Sequence, residues 1–293
     1  MSDAGSVTPT VEAPPLPITF SVVGVQKAAT TTLYTLLGRH RRIVRGEIKE
    51  RHFFDDETLE WDPPDYADYH AIPTKPWHRI AGDMTPIYLF WPRALERMRD
   101  YNPDMRLIAS FRDPIERAFS QWSMERDRDP FFPDFDDVIA DDRFAALPAA
   151  AAADSRDVTI RTHTLAARGL YGQQVRRGLE CFDRDQWLMF DFRDLVGEPT
   201  STLDRVTDFL GIDRYRRYPS LTRSHAGTSD HRGAPPSGDA IRALADLYGP
   251  DLADFEALSG VDTSPWPTSK VLAGDLDPGD LAAQLAKRAG LVG

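Results

Sequence analysis

Residues 18–33 read Ile-Thr-Phe-Ser-Val-Val-Gly-Val-Gln-Lys-Ala-Ala-Thr-Thr-Thr-Leu, and the way this stretch divides decides the fold. Its first half, Ile18 to Val25, is β-branched and apolar on both faces, which predicts a strand buried in a parallel sheet. From Thr30 the pattern changes: Leu33, Leu36 and Leu37 fall at helical spacing, and Gly38 fits the stop. The turn between strand and helix is an anion site in outline. Backbone N–H groups and the helix dipole favour negative charge, Lys27 adds a formal charge, and Thr30, Thr31 and Thr32 add hydroxyl donors. A phosphate group suits such a turn. Lys27 lies three residues ahead of Thr30, whereas the Walker pattern sets its lysine directly before Ser or Thr, so this is not an ordinary nucleotide triphosphatase loop. The same residues also make a plain strand-to-helix turn with a surface lysine.

Working outward, the plan repeats. Met105 to Phe111 reads as a second buried strand, followed by Asp113, Pro114 and Glu116 as N-cap, N1 and N3 of a helix. Arg79 to Met84 and Gln186 to Asp191 read as further strands. Pro92 to Tyr101, Gly169 to Phe182 and Pro199 to Leu210 read as helices. Strands alternating with helices predict an α/β layer sandwich with a mainly parallel central sheet flanked by helices. Ser237 to Tyr248 and Asp251 to Leu258 predict two more helices, and residues 271–293 a C-terminal tail helix. Residues 1–17, with four prolines, read as a disordered tail. The acidic, then Pro- and Ala-rich segment 127–163 reads as an insertion or flap within one domain spanning 18–270.

The 293 residues carry 35 Lys and Arg against 46 Asp and Glu, a formal net charge of −11. That balance argues against bulk binding to nucleic acid or to an anionic membrane. A basic site is therefore local. Arg39, Arg41, Arg42, Arg45, Lys49 and Arg51 form a basic cluster, which suits the attraction of an anionic cofactor or acidic acceptor and equally suits a solvated loop. Cys181 is the only cysteine, so no intramolecular disulfide and no thiolate zinc site is expected, and a cytoplasmic location is the default. The histidines lack metal-ligand spacing, and no metal is expected. Ile18 to Val25 is far shorter than the roughly 20 apolar residues of a membrane span.

Two further stretches carry chemistry. Arg112 stands at the carboxyl end of the second strand, where open α/β sheets bind ligands, and Ser120 lies about two helical turns on. An arginine fork plus a hydroxyl suits a phosphate monoester; pairing of Arg112 with a neighbouring carboxylate is the plain alternative. Asp113 and Glu116 read as helix caps and Arg117 as a solvated helix residue. In Lys49-Glu50-Arg51-His52-Phe53-Phe54, Glu50 is the candidate general base for an attacking hydroxyl or amine, with His52 as competing base or orienting group. A strand edge with a solvated face fits the same run.

Together these motifs resemble the sulfotransferases that use 3′-phosphoadenosine 5′-phosphosulfate (PAPS), especially those similar to heparan sulfate N- and 3-O-sulfotransferases. Their first signature, G-x-x-K-x-G-T-T-x-L, appears here as Gly24 to Leu33 with Ala29 in place of glycine. Ala29 must then hold negative φ or tolerate strain. The resemblance implies a P-loop-like fold in which Lys27, Ala28, Ala29, Thr30, Thr31 and Thr32 grip the 5′-phosphate, with Lys27 also facing the leaving oxygen. It implies that Arg112 and Ser120 hold the 3′-phosphate, and that Glu50, in a K-E-x-H-F-F element, acts as base with Phe53 and Phe54 as an apolar wall raising its basicity. Gly169-Leu-Tyr171 resembles a segment near the cofactor, and His231-Arg232-Gly233 a basic turn closing over the 3′-phosphate. Gly82 to Tyr88 resembles G-E-K-S/T-P-x-Y, with Met84 where the family has lysine, so charge stabilisation falls on Lys27 or on another cation such as Lys49.

The expected reaction is sulfuryl transfer from PAPS to a hydroxyl or amine of a small-molecule or glycan acceptor, without metal. Two other readings stand beside it. A small-molecule kinase shares the strand-loop-helix but not the lysine placement. A non-catalytic nucleotide- or glycan-binding protein would account for Ala29 and Met84 as signs of a decayed site.

Overall fold

The computed structural model describes residues 16–46, 48–70, 72, 74–141, 158–221 and 233–291. In chain order its elements are β1 (Ile18–Gly24), α1 (Thr30–Leu37), β2 (Ile43–Arg45), α2 (Ala67–His70), β3 (Ile80–Asp83), α3 (Ala94–Tyr101), β4 (Arg106–Phe111) and α4 (Pro114–Arg128). Then follow α5 (Phe135–Ile139), α6 (Val158–His163), α7 (Tyr171–Cys181), β5 (Trp187–Asp191), α8 (Phe192–Gly197), α9 (Pro199–Leu210), α10 (Gly238–Ser259), α11 (Pro267–Ala273) and α12 (Pro278–Arg288).

The strands form one sheet in the order β2-β3-β1-β4-β5, every pairing parallel. β1 is the centre, and the chain leaves it towards β2 on one side and returns to β4 on the other. A crevice opens at such a reversal, outside the carboxyl ends of the strands. Both faces are covered, as the continuous apolar runs require. Leu107, Ala109 and Phe111 of β4 join the large core beneath α3, α4, α7 and α10, whereas Ile108 joins Phe20, Val22, Leu33, Leu36 and Val206 beneath α1 and α9. Gly82 is dictated by the close β1–β3 approach: a Cβ there would stand 2.1 Å from the Phe20 ring.

Four local expectations give way to non-local packing. The three-residue β2 was not expected at all; its register is fixed by pairing with β3. The two helices expected across 237–258 are one, α10, which runs through Pro250. Burial of Tyr248, Leu252 and Phe255 holds it, and Asp251 accepts the Gly172 and Gln173 N–H groups (2.7 and 2.9 Å), capping α7. Arg117 is fully buried rather than solvated, donating to Gln121 Oε1 (2.7 Å) and to the Leu165 carbonyl. The helix expected over 271–293 is present as α12 but is packed rather than a tail, burying Leu281, Ala282 and Leu285, and α11 straddles residue 270.

In the segment read as an insertion or flap, Phe132, Phe135 and Val138 belong to the core, and residues 142–157 lie outside those described. So do residues 1–15 and, in the basic turn, His231 and Arg232. Among the described residues no helix is long and apolar enough to cross a membrane.

Candidate active site

The loop after β1 turns through two left-handed residues, Lys27 (φ 73°) and Ala29 (φ 60°). Ala29 is the N-cap of α1 and gives no side-chain cap, so the N–H groups of the first helical turn point into the crevice without an intrahelical acceptor. Thr30, Thr31 and Thr32 occupy that turn. Ala28 differs: its N–H donates to the Val25 carbonyl (3.2 Å) and its carbonyl accepts from Ser110 Oγ (2.8 Å), so it shapes the loop rather than offering a donor. Left-handed alanine costs roughly 1–2 kcal/mol. Ala29→Gly is therefore expected to raise the melting temperature by a few degrees, about 2–4 °C per kcal/mol for a domain of this size. A thermal melt showing no gain would mean that the loop relaxes elsewhere.

Arg112 leaves the carboxyl end of β4 and meets this loop directly, its Nη1 donating to the Lys27 carbonyl (3.3 Å). Its Nε reaches Glu116 Oε2 (3.4 Å), whose other oxygen accepts from Arg288 of α12, and its guanidinium lies 5.3 Å from the Phe192 ring centre. Asp113 is the expected cap of α4, accepting from the Glu116 N–H (2.8 Å), and also from the Thr268 N–H of α11 (2.7 Å); burial lifts its carboxyl to about 6. Lys27 makes no ion pair with a described carboxylate. Burial and the nearby Arg112 and Arg128 hold its ammonium below the usual lysine range, against the pull of Glu125 and Asp127. Lys27 thus lies within electrostatic reach of two guanidiniums.

Tyr171, expected near the cofactor, is fully buried between Phe111, Phe255 and Trp266. Its hydroxyl donates to the Arg112 carbonyl (2.9 Å). It therefore fixes the arginine from behind and is not itself a ligand contact. Ser120 is half-buried on α4, with no bond to Arg112. Gly233 lies against the other end of that helix, where a Cβ would stand 3.0 Å from Asp134 and 3.4 Å from Arg126.

Glu50 stands in a charged chain. Lys49 Nζ bonds its Oε1, and His52 Nε2 lies 3.6 Å from its Oε2. His52, itself left-handed (φ 53°), donates through Nδ1 to Asp55 Oδ2 (2.9 Å). Asp55 is fully buried and also takes two bonds from Arg161 of α6 (2.6 and 2.9 Å). Burial alone would raise the Glu50 carboxyl, but bonds from His52 and Lys49 outweigh it and bring it to about 2. Bonds to Asp55 and Glu50 raise His52 to about 9.

One expectation is corrected here. Phe53 and Phe54 are no wall for Glu50, since they pack against Tyr69, Trp61 and Tyr88. The bonds of His52 to Asp55 and Glu50 favour its imidazolium form, which suits an orienting group better than a base. The 82–88 segment explains why the chain from 49 to 54 lies where it does. Thr85 Oγ1 accepts the Arg51 N–H (3.1 Å), the Tyr88 hydroxyl accepts the Phe53 N–H (3.1 Å), and buried Asp83 accepts from Thr85 (3.0 Å). Met84 points away into the core under α1. Sequence reasoning missed Asp55 and Arg161; the i, i+3 spacing of His52 and Asp55 was a signal, whereas the partnership with Arg161, 106 residues on, left none.

Residues 17–226 match the sulfotransferase domain family. The chain belongs to that family. Among sulfotransferases of known structure it is similar to the enzyme from Alicyclobacillus acidocaldarius, at 26% identity with a TM-score of 0.67, over 85% of this chain and 98% of that one. It is also similar to human heparan sulfate glucosamine 3-O-sulfotransferase 3B1, at 27% identity over 82% of this chain and 63% of that sulfotransferase. The mouse bifunctional heparan sulfate N-deacetylase/N-sulfotransferase 4 is 26% identical over 68% of this chain and 23% of its own length. The chain thus spans less than two thirds of the length of these heparan sulfate sulfotransferases.

Proposed function

We propose that this chain transfers a sulfuryl group from PAPS to a hydroxyl or amine of an acceptor of carbohydrate type. The observation that carries the reading is the meeting of the Lys27 loop with Arg112, two cationic elements on adjacent strands that bond to each other, the lysine paired with no described carboxylate. The residues present fit PAPS. The first-turn donors of Thr30, Thr31 and Thr32 with Lys27 suit the 5′-phosphate, and Arg112 with Ser120 suits the 3′-phosphate. Bound PAPS supplies the electrophilic sulfuryl group.

Glu50, fully ionised, accepts a hydrogen bond from the acceptor hydroxyl or amine and takes its proton. That bond displaces Lys49 from Oε1 and releases its ammonium towards the negative charge that builds up, the task left open by Met84. His52, held by Asp55 and Arg161, keeps the carboxylate aimed. The names of the heparan sulfate relatives favour a sugar acceptor.

The test is a melting assay. Adenosine 3′,5′-bisphosphate is expected to stabilise the protein by about 2.7 kcal/mol at a hundredfold excess over its dissociation constant, and far more than ATP or adenosine 5′-phosphate at the same concentration. Arg112→Ala should erase most of that preference by removing charge-assisted bonds to the 3′-phosphate. Equal stabilisation by bisphosphate and monophosphate, or a magnesium-dependent preference for ATP, would sink the proposal.

A further inference from the structure

At the far end of α1, a pocket of about 160 Å³ is bounded by the turn between α1 and β2 and by the chain after α9. α1 starts at the Lys27 loop and runs 8 residues, about 12 Å at 1.5 Å per residue, so the pocket lies a helix length from the crevice. Into it project Arg39, Arg41, Arg214, Arg216 and Arg217. This clustering stands out on a chain of net charge −11.

The carboxylates nearby, Asp213 on the pocket wall among them, are each paired with one arginine. Asp213 pairs with Arg42 (3.2 Å), and Asp204 and Asp208 pair with Arg214. Arg39, Arg41, Arg216 and Arg217 bond to no described carboxylate. Backbone carbonyls at the end of α1, which would repel an anion, are also engaged. Gly38 N–H donates to the Tyr34 carbonyl and His40 N–H to that of Leu37, while the Leu36 carbonyl accepts both the Arg39 N–H and the Tyr215 hydroxyl.

The floor is rigid. His40 and Tyr215 are buried edge to face, ring centres 4.6 Å apart, and His40 Nε2 bonds the Asp213 carbonyl (2.7 Å). His40 adds no charge, because burial and the neighbouring Arg42 and Arg41 hold it below the usual histidine range despite Asp213. Its Nδ1 instead accepts the Arg42 N–H (3.2 Å).

We infer that this pocket is a second anion site, built for a sulfate or phosphate monoester group and independent of the catalytic crevice. It is too small for a nucleotide, and drug-sized ligands occupy pockets of roughly 300–1,000 Å³. Unpaired guanidiniums around a tetrahedral oxyanion give bidentate, charge-assisted bonds that lysines would not match. The group comes either from a free ion or from a sulfated sugar chain, and those sources are separable.

The experiment is calorimetric titration of the full chain, saturated with adenosine 3′,5′-bisphosphate to fill the crevice, using sodium sulfate, sodium phosphate and a heparin tetrasaccharide in parallel. The wild type and Arg41→Ala/Arg216→Ala are compared; both positions are exposed and bonded to no described carboxylate, so a matching melting temperature certifies the variant's fold. The expected result is a site whose affinity for sulfate and phosphate falls at least tenfold in the double variant. A variant-sensitive tetrasaccharide affinity tenfold or more tighter than sulfate identifies a glycan-borne group, comparable affinities identify the free ion, and tetrasaccharide binding that the variant leaves unchanged belongs to the acceptor position of the crevice. Absence of binding by all three probes, or binding unchanged in the variant, overturns the inference. Because the double variant decides the outcome whether or not the bisphosphate occupies the crevice, failure of the sulfotransferase reading and failure of this inference are distinguishable.

Discussion

Replacing Lys27 with Ala is expected to lower the single-turnover rate, at saturating donor, by about 10²- to 10³-fold, the range seen when a preorganised charge-stabilising donor is removed. The ammonium sits on a left-handed turn beside Arg112 and Arg128, depressed by burial and by those two cations. An arriving polyanion offsets the repulsion from the two guanidiniums and favours the ammonium form. Negative charge growing on the leaving phosphate in the transition state strengthens the interaction further, so the loss in rate should exceed the loss in donor binding. Rapid-quench measurement separates the two. An unchanged single-turnover rate would reduce Lys27 to a docking residue.

Glu50→Gln is expected to leave binding of adenosine 3′,5′-bisphosphate intact while cutting turnover by about 10²-fold or more, the usual contribution of a general base. The structure adds a pH signature. With Glu50 at about 2 and His52 at about 9, kcat/KM should be level across neutral pH. It should decline only as pH rises through about 9, where the imidazolium loses its proton and its hold on Glu50 and Asp55. His52→Gln should move that alkaline limb. A limb near 6.5 in the wild type would show that Asp55 does not hold the imidazolium in solution, and wild-type turnover in Glu50→Gln would remove the carboxylate from the chemistry.

Much of this site was legible because its parts are local. The strand-turn-helix at 18–37 is carried by apolar runs and turn chemistry within twenty residues, and Asp113 caps a helix whose proline and glutamate stand beside it. What could not be read depends on partners distant in sequence. Arg117 looks like any exposed helix arginine until the Leu165 carbonyl meets it. Tyr171 sits near the site, yet it faces Phe255 and Trp266 from the far end of the chain. Phe53 and Phe54 follow Glu50 by three and four residues, yet a left-handed turn at His52 sends them into the core. Pro250 predicts a break from local propensity alone; burial along α10 overrides it.

Glu116 divides its two oxygens between Arg112 in the crevice and Arg288 on the last helix. On the proposed reading, the nucleotide's 3′-phosphate would compete with Glu116 for Arg112, and nucleotide binding and seating of α12 would become linked equilibria. Linkage is reciprocal: whatever the nucleotide added to the docking of α12, docked α12 would return to the nucleotide. A helix beyond residues 17–226, the span matched by the sulfotransferase family, would thereby enter the affinity of the site without touching its occupant.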